Sequence, residues 1–240
     1  MSESGIPVIT IDGPSGSGKG TVSQLVAQQL GWNFLDSGAL YRLVALAALQ
    51  DKISLEDESA LAGLAVQLNA RFISNAELNT ADLSRVEAVV MLGDVDVTQA
   101  LRTQQCADAA SKVAILPVVR HALLDRQRAF RKAPGLVADG RDMGSVIFPD
   151  AALKIFLTAS VQERAQRRLK QLIDKGIPVN MPLLQAEISG RDMRDAGRSV
   201  APMQATPDAI MLDSSGLSIT QVVQQILNLW QNTQFRQHTL

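Results

Sequence analysis

Short apolar runs alternate with apolar stripes at helical spacing along most of the 240 residues. Pro7 to Ile11, Trp32 to Leu35, Leu136 to Asp139, Lys154 to Leu157 and Ala209 to Leu212 read as strands buried on both faces. Between them, Val22, Leu25, Val26 and Leu30 form one helical stripe, and Leu40, Leu43, Val44 and Ala47 another. Leu61, Leu64, Ala65 and Leu68 follow at i, i+3, i+4 and i+7, and the final stripe runs through Ile219, Val222, Val223, Ile226 and Trp230. This alternation predicts an α/β fold, a five-stranded parallel sheet with helices on both faces.

Local signals place the helix ends. Ser37 stands where it would cap the second helix, Ser54 with Asp57 resembles a capping box for the third, and Ser160 with Glu163 resembles another before Val161, Ala165, Leu169 and Leu172. One helix is expected around 103–115 and one from Pro117 to the Pro134-Gly135 pair. Gly176 with Pro178 stops the Val161 helix, and Asn180 with Pro182 opens the next. Over 70–101 the rhythm breaks: Ala70 to Ile73 and Val86 to Leu92 look like short strands around polar turns, with Gly93-Asp94 as a turn. That stretch reads as an insertion, and 160–199 as a separate helical region, on a core made of 1–69, 102–159 and 200–240.

Net charge changes the picture little. At −1 it provides no broad field for nucleic acid or an anionic membrane, so any arginine chemistry must be local. The single cysteine, Cys106, excludes an internal disulfide, suits a reducing compartment and reads as a small buried hydrophobe. Met1 to Gly5 has no basic start or apolar segment of a signal peptide, and Arg42 interrupts the longest apolar stretch, Leu40 to Leu49. These features suggest a cytoplasmic protein with no membrane span.

The strongest chemical signal is Gly13-Pro14-Ser15-Gly16-Ser17-Gly18-Lys19-Gly20-Thr21, set between the first strand and the first helix. This is the pattern of a phosphate-binding loop. Its glycines let backbone N–H groups turn inward around a polyphosphate, the helix aims its positive dipole there, and Lys19 adds a charge for the outer phosphates. Lys19 is expected to face solvent and to carry little packing. Gly20 occupies the place where Ser or Thr usually follows the lysine, so Thr21 is assigned to phosphate or to a metal-bound water and not to the metal itself.

In an open parallel sheet ligands sit at the carboxyl ends of the strands, which gathers Asp36, Ser37 and Arg42 with Asp139-Gly140-Arg141-Asp142-Met143-Gly144. Asp139 fits an acid that orders a magnesium-bound water, the favoured reading, with an Asp-Gly turn as the alternative. Arg191, Arg194, Asp195 and Arg198 recur at i, i+3, i+4 and i+7, with Gly190 and Gly197 inside the same expected helix. A solvated stripe would account for the charges, but two helix-weakening glycines point to an arginine-bearing cover over phosphates, to which Arg164, Arg167 and Arg168 add. Arg126, Arg128, Arg131 and Lys132 read as surface. With only His121 and His238, no Ser-His-Asp relay can be assembled. Phosphoryl transfer to a phosphate monoester needs none, because the acceptor is already largely ionised at neutral pH.

Taken together, the phosphate loop, Leu35-Asp36-Ser37-Gly38-Ala39-Leu40-Tyr41-Arg42, Arg102-Thr103-Gln104, Ala138-Asp139-Gly140-Arg141-Asp142-Met143-Gly144 and Arg191-Asp192 through Arg198 resemble the bacterial cytidylate kinases over nearly the whole chain. The resemblance implies a nucleoside-monophosphate kinase of pyrimidine metabolism that transfers the γ-phosphoryl of ATP to CMP or dCMP, with Mg²⁺ as cofactor. It implies that 70–101 is the enlarged monophosphate-binding insertion. It puts Lys19, Asp139, Arg141 and Arg191 in catalysis and Arg167 on ATP with the phosphate loop. Ser111, Arg191 and Asp195 fall near the sugar, and Arg42 and Arg141 near the acceptor phosphate. Cytosine presents an amine donor beside N3 and O2 acceptors, so a selective pocket needs acceptors such as Ser37 or Asp142 and donors such as Arg120 and Arg198. The protein is expected to act as a monomer on these small molecules, without nucleic acid or membrane.

Two other classes share part of the pattern. A GTPase switch needs an Asn/Thr-Lys-x-Asp motif, which is absent, and the one Asp-x-x-Gly, Asp213 to Gly216, comes too late in the chain. A non-catalytic nucleotide-binding or RNA-associated module is disfavoured by the near-neutral charge and the surplus of arginines at the strand ends.

Overall fold

A computed structural model describes residues 5–73, 89–174 and 178–237, with side chains to 235. In chain order its elements are β1 (Val8–Asp12), α1 (Lys19–Leu30), β2 (Asn33–Asp36), α2 (Ser37–Gln50), α3 (Glu58–Gln67), β3 (Ala70–Ile73), β4 (Val89–Leu92) and β5 (Val95–Asp96). They continue with α4 (Gln104–Val113), α5 (Pro117–Arg128), β6 (Leu136–Gly140), β7 (Leu153–Thr158), α6 (Val161–Ile173), α7 (Met181–Ala196), β8 (Ile210–Asp213) and α8 (Ile219–Gln237). The expected strand residues Val86 to Ala88 and the turn residue Gly176 lie outside the described residues.

The chain forms two compact units, residues 1–36 with 128–240 and residues 37–127. The first holds a five-stranded, all-parallel sheet in the order β2-β6-β1-β7-β8, flanked by helices. Its strands are apolar because they are covered: Ile9, Ile11, Val137, Ile155 and Leu157 pack with Val22 and Val26 of α1 and with Val222, Ile226 and Trp230 of α8. Trp230 meets Trp32 edge-on, with ring centroids 5.0 Å apart. Register brings acids to one edge, since Asp36 pairs with Asp139 and Asp12 with Gly140. The connections that leave β1, β2 and β6 therefore start beside a carboxylate.

The second unit contains α2 to α5, except the last residue of α5, and an antiparallel sheet in the order β3-β4-β5. Leu40, Leu43, Val44 and Ala48 of α2 are buried with Leu61 and Ala65 of α3. Cys106 on α4 is buried as expected, and its thiol donates to the Arg42 carbonyl at 3.4 Å. Among the described residues, no helix is long and apolar enough to cross a membrane.

Several helix ends differ from the sequence expectation. Ser37 is the first residue of α2 and not its cap. Asp57 alone caps α3, accepting from Ala60 N–H at 3.0 Å, so the cap lies three residues after Ser54 and the helix begins at Glu58. α5 stops at Arg128, well before Pro134. Asn33 donates to the Lys132 and Gly135 carbonyls at 2.7 and 3.0 Å, which takes that stretch out of helical pairing, and the residue before a proline avoids the helical region. α7 ends at Ala196 with Gly197 as its C-cap. Gly197 therefore terminates the helix and does not weaken its interior, and Arg198 lies beyond it.

Candidate active site

β1 leads directly into the phosphate loop. Gly13 has φ +146, and a Cβ there would stand 2.1 Å from the Leu157 carbonyl oxygen, so only glycine can begin the loop. Gly18 caps α1 in the left-handed conformation, and Ser17 donates to the Pro14 carbonyl at 3.1 Å. The loop therefore has an internal fastening before any ligand is considered.

Lys19 is buried at 8% exposure, contrary to the expectation of a solvent-facing side chain. Its ammonium donates to the Pro14 carbonyl at 3.2 Å. Burial lowers it to about 8, and the Arg141 charge pushes the same way, against the opposing pull of Asp139. The cause is tertiary: Asp139, Arg141 and Arg191, whose charges act on this lysine, come from segments more than a hundred residues later.

Asp139 is buried near the end of β6, and burial pushes its carboxyl up to about 7 despite Lys19. Its Oδ1 is buried with no hydrogen-bond partner among the described residues. Its Oδ2 lies 3.3 Å from where a Cβ of Gly20 would be. Glycine after the lysine thus lets a carboxylate approach the first turn of α1, which gives the departure from the usual loop pattern a physical reason. Thr21 is exposed on that turn.

Arginines surround the loop. Arg164 is buried and donates to the Ala159 and Ser15 carbonyls, each at 3.0 Å, and to Asp192 at 2.6 Å. Arg167 donates to the Ser17 carbonyl at 3.0 Å and to the Ser214 carbonyl at 2.6 Å. The Ser214 hydroxyl lies 3.1 Å from the Ser17 carbonyl and 2.9 Å from that of Thr158. Sequence reading missed Ser214, Asp192 and the attachment of Arg164 to the loop. It also missed Asp12, whose carboxylate accepts from Met143 and Gly144; an acid closing an apolar strand was the available signal, the same one that singled out Asp139.

The arginine stripe divides. Arg194 is exposed, whereas Asp195 is buried, with its Oδ2 accepting from Arg141 Nε at 2.9 Å and its Oδ1 from Arg198. Burial acts to raise the Asp195 carboxyl, but Arg141 and Arg198 outweigh it and hold the group below the usual carboxylate range. Arg191 adds its charge to both Asp195 and Lys19. Asp142 is buried just before the π-helical turn Met143–Ile147.

In the second unit, Ser37 is buried and Arg42 donates to the Leu101 carbonyl at 2.7 Å. Arg120 is buried, donates to the Ala114 carbonyl at 3.2 Å and stacks over the Tyr41 ring at 5.6 Å. The Ser111 hydroxyl is buried and makes no hydrogen bond among the described residues. Such arginines and hydroxyls are donors and acceptors for a polar ligand.

The family model of cytidylate kinase matches residues 9–232. The chain belongs to the cytidylate kinase family. Similar curated relatives are the cytidylate kinases of Shewanella denitrificans, 55% identical over 92% of this chain and 94% of that protein, and Shewanella frigidimarina, 56% identical over 92% and 93%. That of Azotobacter vinelandii is 55% identical over 92% and 93%. The matched range takes in the phosphate loop, the β6 end and α6 to α7 alike.

Proposed function

We propose that this protein transfers the γ-phosphoryl group of ATP to CMP or dCMP, giving ADP and CDP or dCDP. The observation that carries this is the buried Lys19 at the root of a phosphate loop, in the fields of Asp139, Arg141 and Arg191. Cations gathered beside a loop of inward-turned N–H groups suit the charge of a transferring phosphoryl.

Gly13 to Thr21 cradle the triphosphate, with Arg167 beside the loop. Lys19 leaves the Pro14 carbonyl for the transferring phosphoryl, and its ammonium becomes easier to keep charged as phosphate oxygens replace a buried, cation-rich setting. Arg42 and Arg141 hold the acceptor phosphate, which attacks in line and needs no general base because it is already ionised. Ser111, Arg191 and Asp195 face the sugar, and Ser37, Arg120, Asp142 and Arg198 read the cytosine edge. The donor and acceptor order of uracil differs there, so UMP is bound less well.

Mg²⁺ fits this site. The partnerless buried Oδ1 of Asp139 is the acceptor a hydrated cation would use, with Thr21 reached through water. Held by Asp139, with Thr21 through water, the ion would supply positive charge against the polyphosphate. In this reading residues 70–101 are the monophosphate-binding insertion, and 160–199 form an arginine-bearing lid on a core of 1–69, 102–159 and 200–240. The enzyme acts as a monomer in the cytoplasm, on small nucleotides and without nucleic acid or membrane.

The test is a panel of CMP, dCMP, UMP and AMP with Mg·ATP, following ADP release. CMP and dCMP should be the best acceptors. AMP or a non-nucleotide as best acceptor would overturn the pyrimidine assignment and leave the kinase reading standing.

A further inference from the structure

Asp12 ends β1 and immediately precedes the first glycine of the phosphate loop. Its carboxylate is buried and uses both oxygens: Oδ1 accepts from Met143 N–H at 2.9 Å, and Oδ2 from Gly144 N–H at 2.8 Å. These two N–H groups open the turn Met143–Ile147, where a helical start leaves donors unpaired. The residue placed to cap that turn is Asp142, but it makes no side-chain cap bond there. Asp12 does so instead, from another strand, and the Asp142 carboxylate is not used on the cap.

The consequence lies in the two residues between fixed points. Register pairs Asp12 with Gly140 across the β1–β6 ladder, and the same residue's carboxylate clasps Met143 and Gly144. Arg141 and Asp142 are therefore held on both sides by one residue at the root of the phosphate loop. Burial of this carboxylate is costly, and it is pushed up to about 6 even with two N–H bonds pulling it down.

We infer that Asp12 is a positioning residue for the monophosphate, setting Arg141 and Asp142 in fixed relation to the phosphate loop. This rests on the reading that those two residues hold CMP. Asp12→Asn keeps shape but replaces one acceptor oxygen with a donor, so one of the two N–H groups loses its partner. Steady-state kinetics with Mg·ATP and CMP should then show KM for CMP raised at least tenfold, KM for ATP changed less than threefold, and kcat reduced less than KM for CMP rises. Equal changes in both KM values, or no change in either, would overturn the inference.

Arg141→Ala and Asp142→Ala serve as controls. If neither moves KM for CMP, the functional reading fails; if both do and Asp12→Asn does not, only the positioning role fails. Should the Asn variant not fold, Asp12→Ser is measured instead. Failure of both to fold would make Asp12 a determinant of the fold and not of substrate geometry, and would also overturn the inference.

Discussion

The Asp195 carboxylate joins Arg141, 54 residues earlier in the chain, to Arg198 just past α7. One buried acid thus aligns an arginine at the end of β6 with one beyond the last helical turn. Charge-assisted bonds of this kind are worth about 1.5–3 kcal/mol each. Asp195→Ala should release both guanidinium groups and weaken CMP affinity by about ten- to a hundredfold, with ATP affinity changed little. Calorimetric titration with each nucleotide checks this. A loss confined to ATP would put the pair on the donor side. Because the Asp195 carboxyl is held below its ordinary value, its stabilising contribution is present above the unfolded value near 3.8 and is lost as pH falls further.

Lys19→Met should cut turnover by about a hundredfold or more, since it removes charge from the transferring phosphoryl. Burial alters the stability side of this prediction. A lysine lowered to about 8 in the folded chain binds fewer protons than the unfolded chain between about 8 and its ordinary value of 10.5. Stability of the parent relative to the Met variant should therefore rise as pH increases through that window. Thermal melts at pH 7, 9 and 10.5 measure it, and a parent that loses ground would contradict a buried ammonium.

Asp139→Asn should stabilise the protein without nucleotide at pH 8 and raise the magnesium concentration needed for half-maximal rate. The carboxyl, pushed up to about 7, keeps its proton in the folded state from its ordinary value of 3.8 upward, so its presence costs stability as pH rises through that interval. Paired melts at pH 4 and pH 8 should show the variant gaining on the parent only at the higher value. A magnesium titration at fixed ATP supplies the second half.

Gly13→Ala should destabilise the chain severely. The added Cβ meets the Leu157 backbone oxygen at 2.1 Å, and a positive φ of 146 adds strain for any L side chain. Neither can relax without parting β1 from β7. A melting temperature within a few degrees of the parent would show that the loop root can shift.

The phosphate loop and the five parallel strands were legible because they depend on local patterns: glycines at a strand-to-helix junction and continuous apolar runs. Asp57, Asn180 and Ser160 each act on an N–H three residues away, so caps were within reach of sequence, although Ser54 and Ser37 show that adjacent polar residues compete for the role. Gly197 and Arg198 were misplaced because a glycine ends a helix as readily as it loosens one.

By itself, then, the sequence determined the layered order of strands and helices and the loop that turns backbone N–H groups toward phosphate, since both follow from residue spacing within a few turns of chain. Only the tertiary structure decided what each buried charge meets. Asp12 reaches Met143 across 131 residues, Arg164 reaches Ser15 across 149, and Ser214 reaches Ser17 across 197. The physical reason is burial: a charge removed from water must find donors or acceptors wherever the fold has brought them, and no local pattern specifies that meeting.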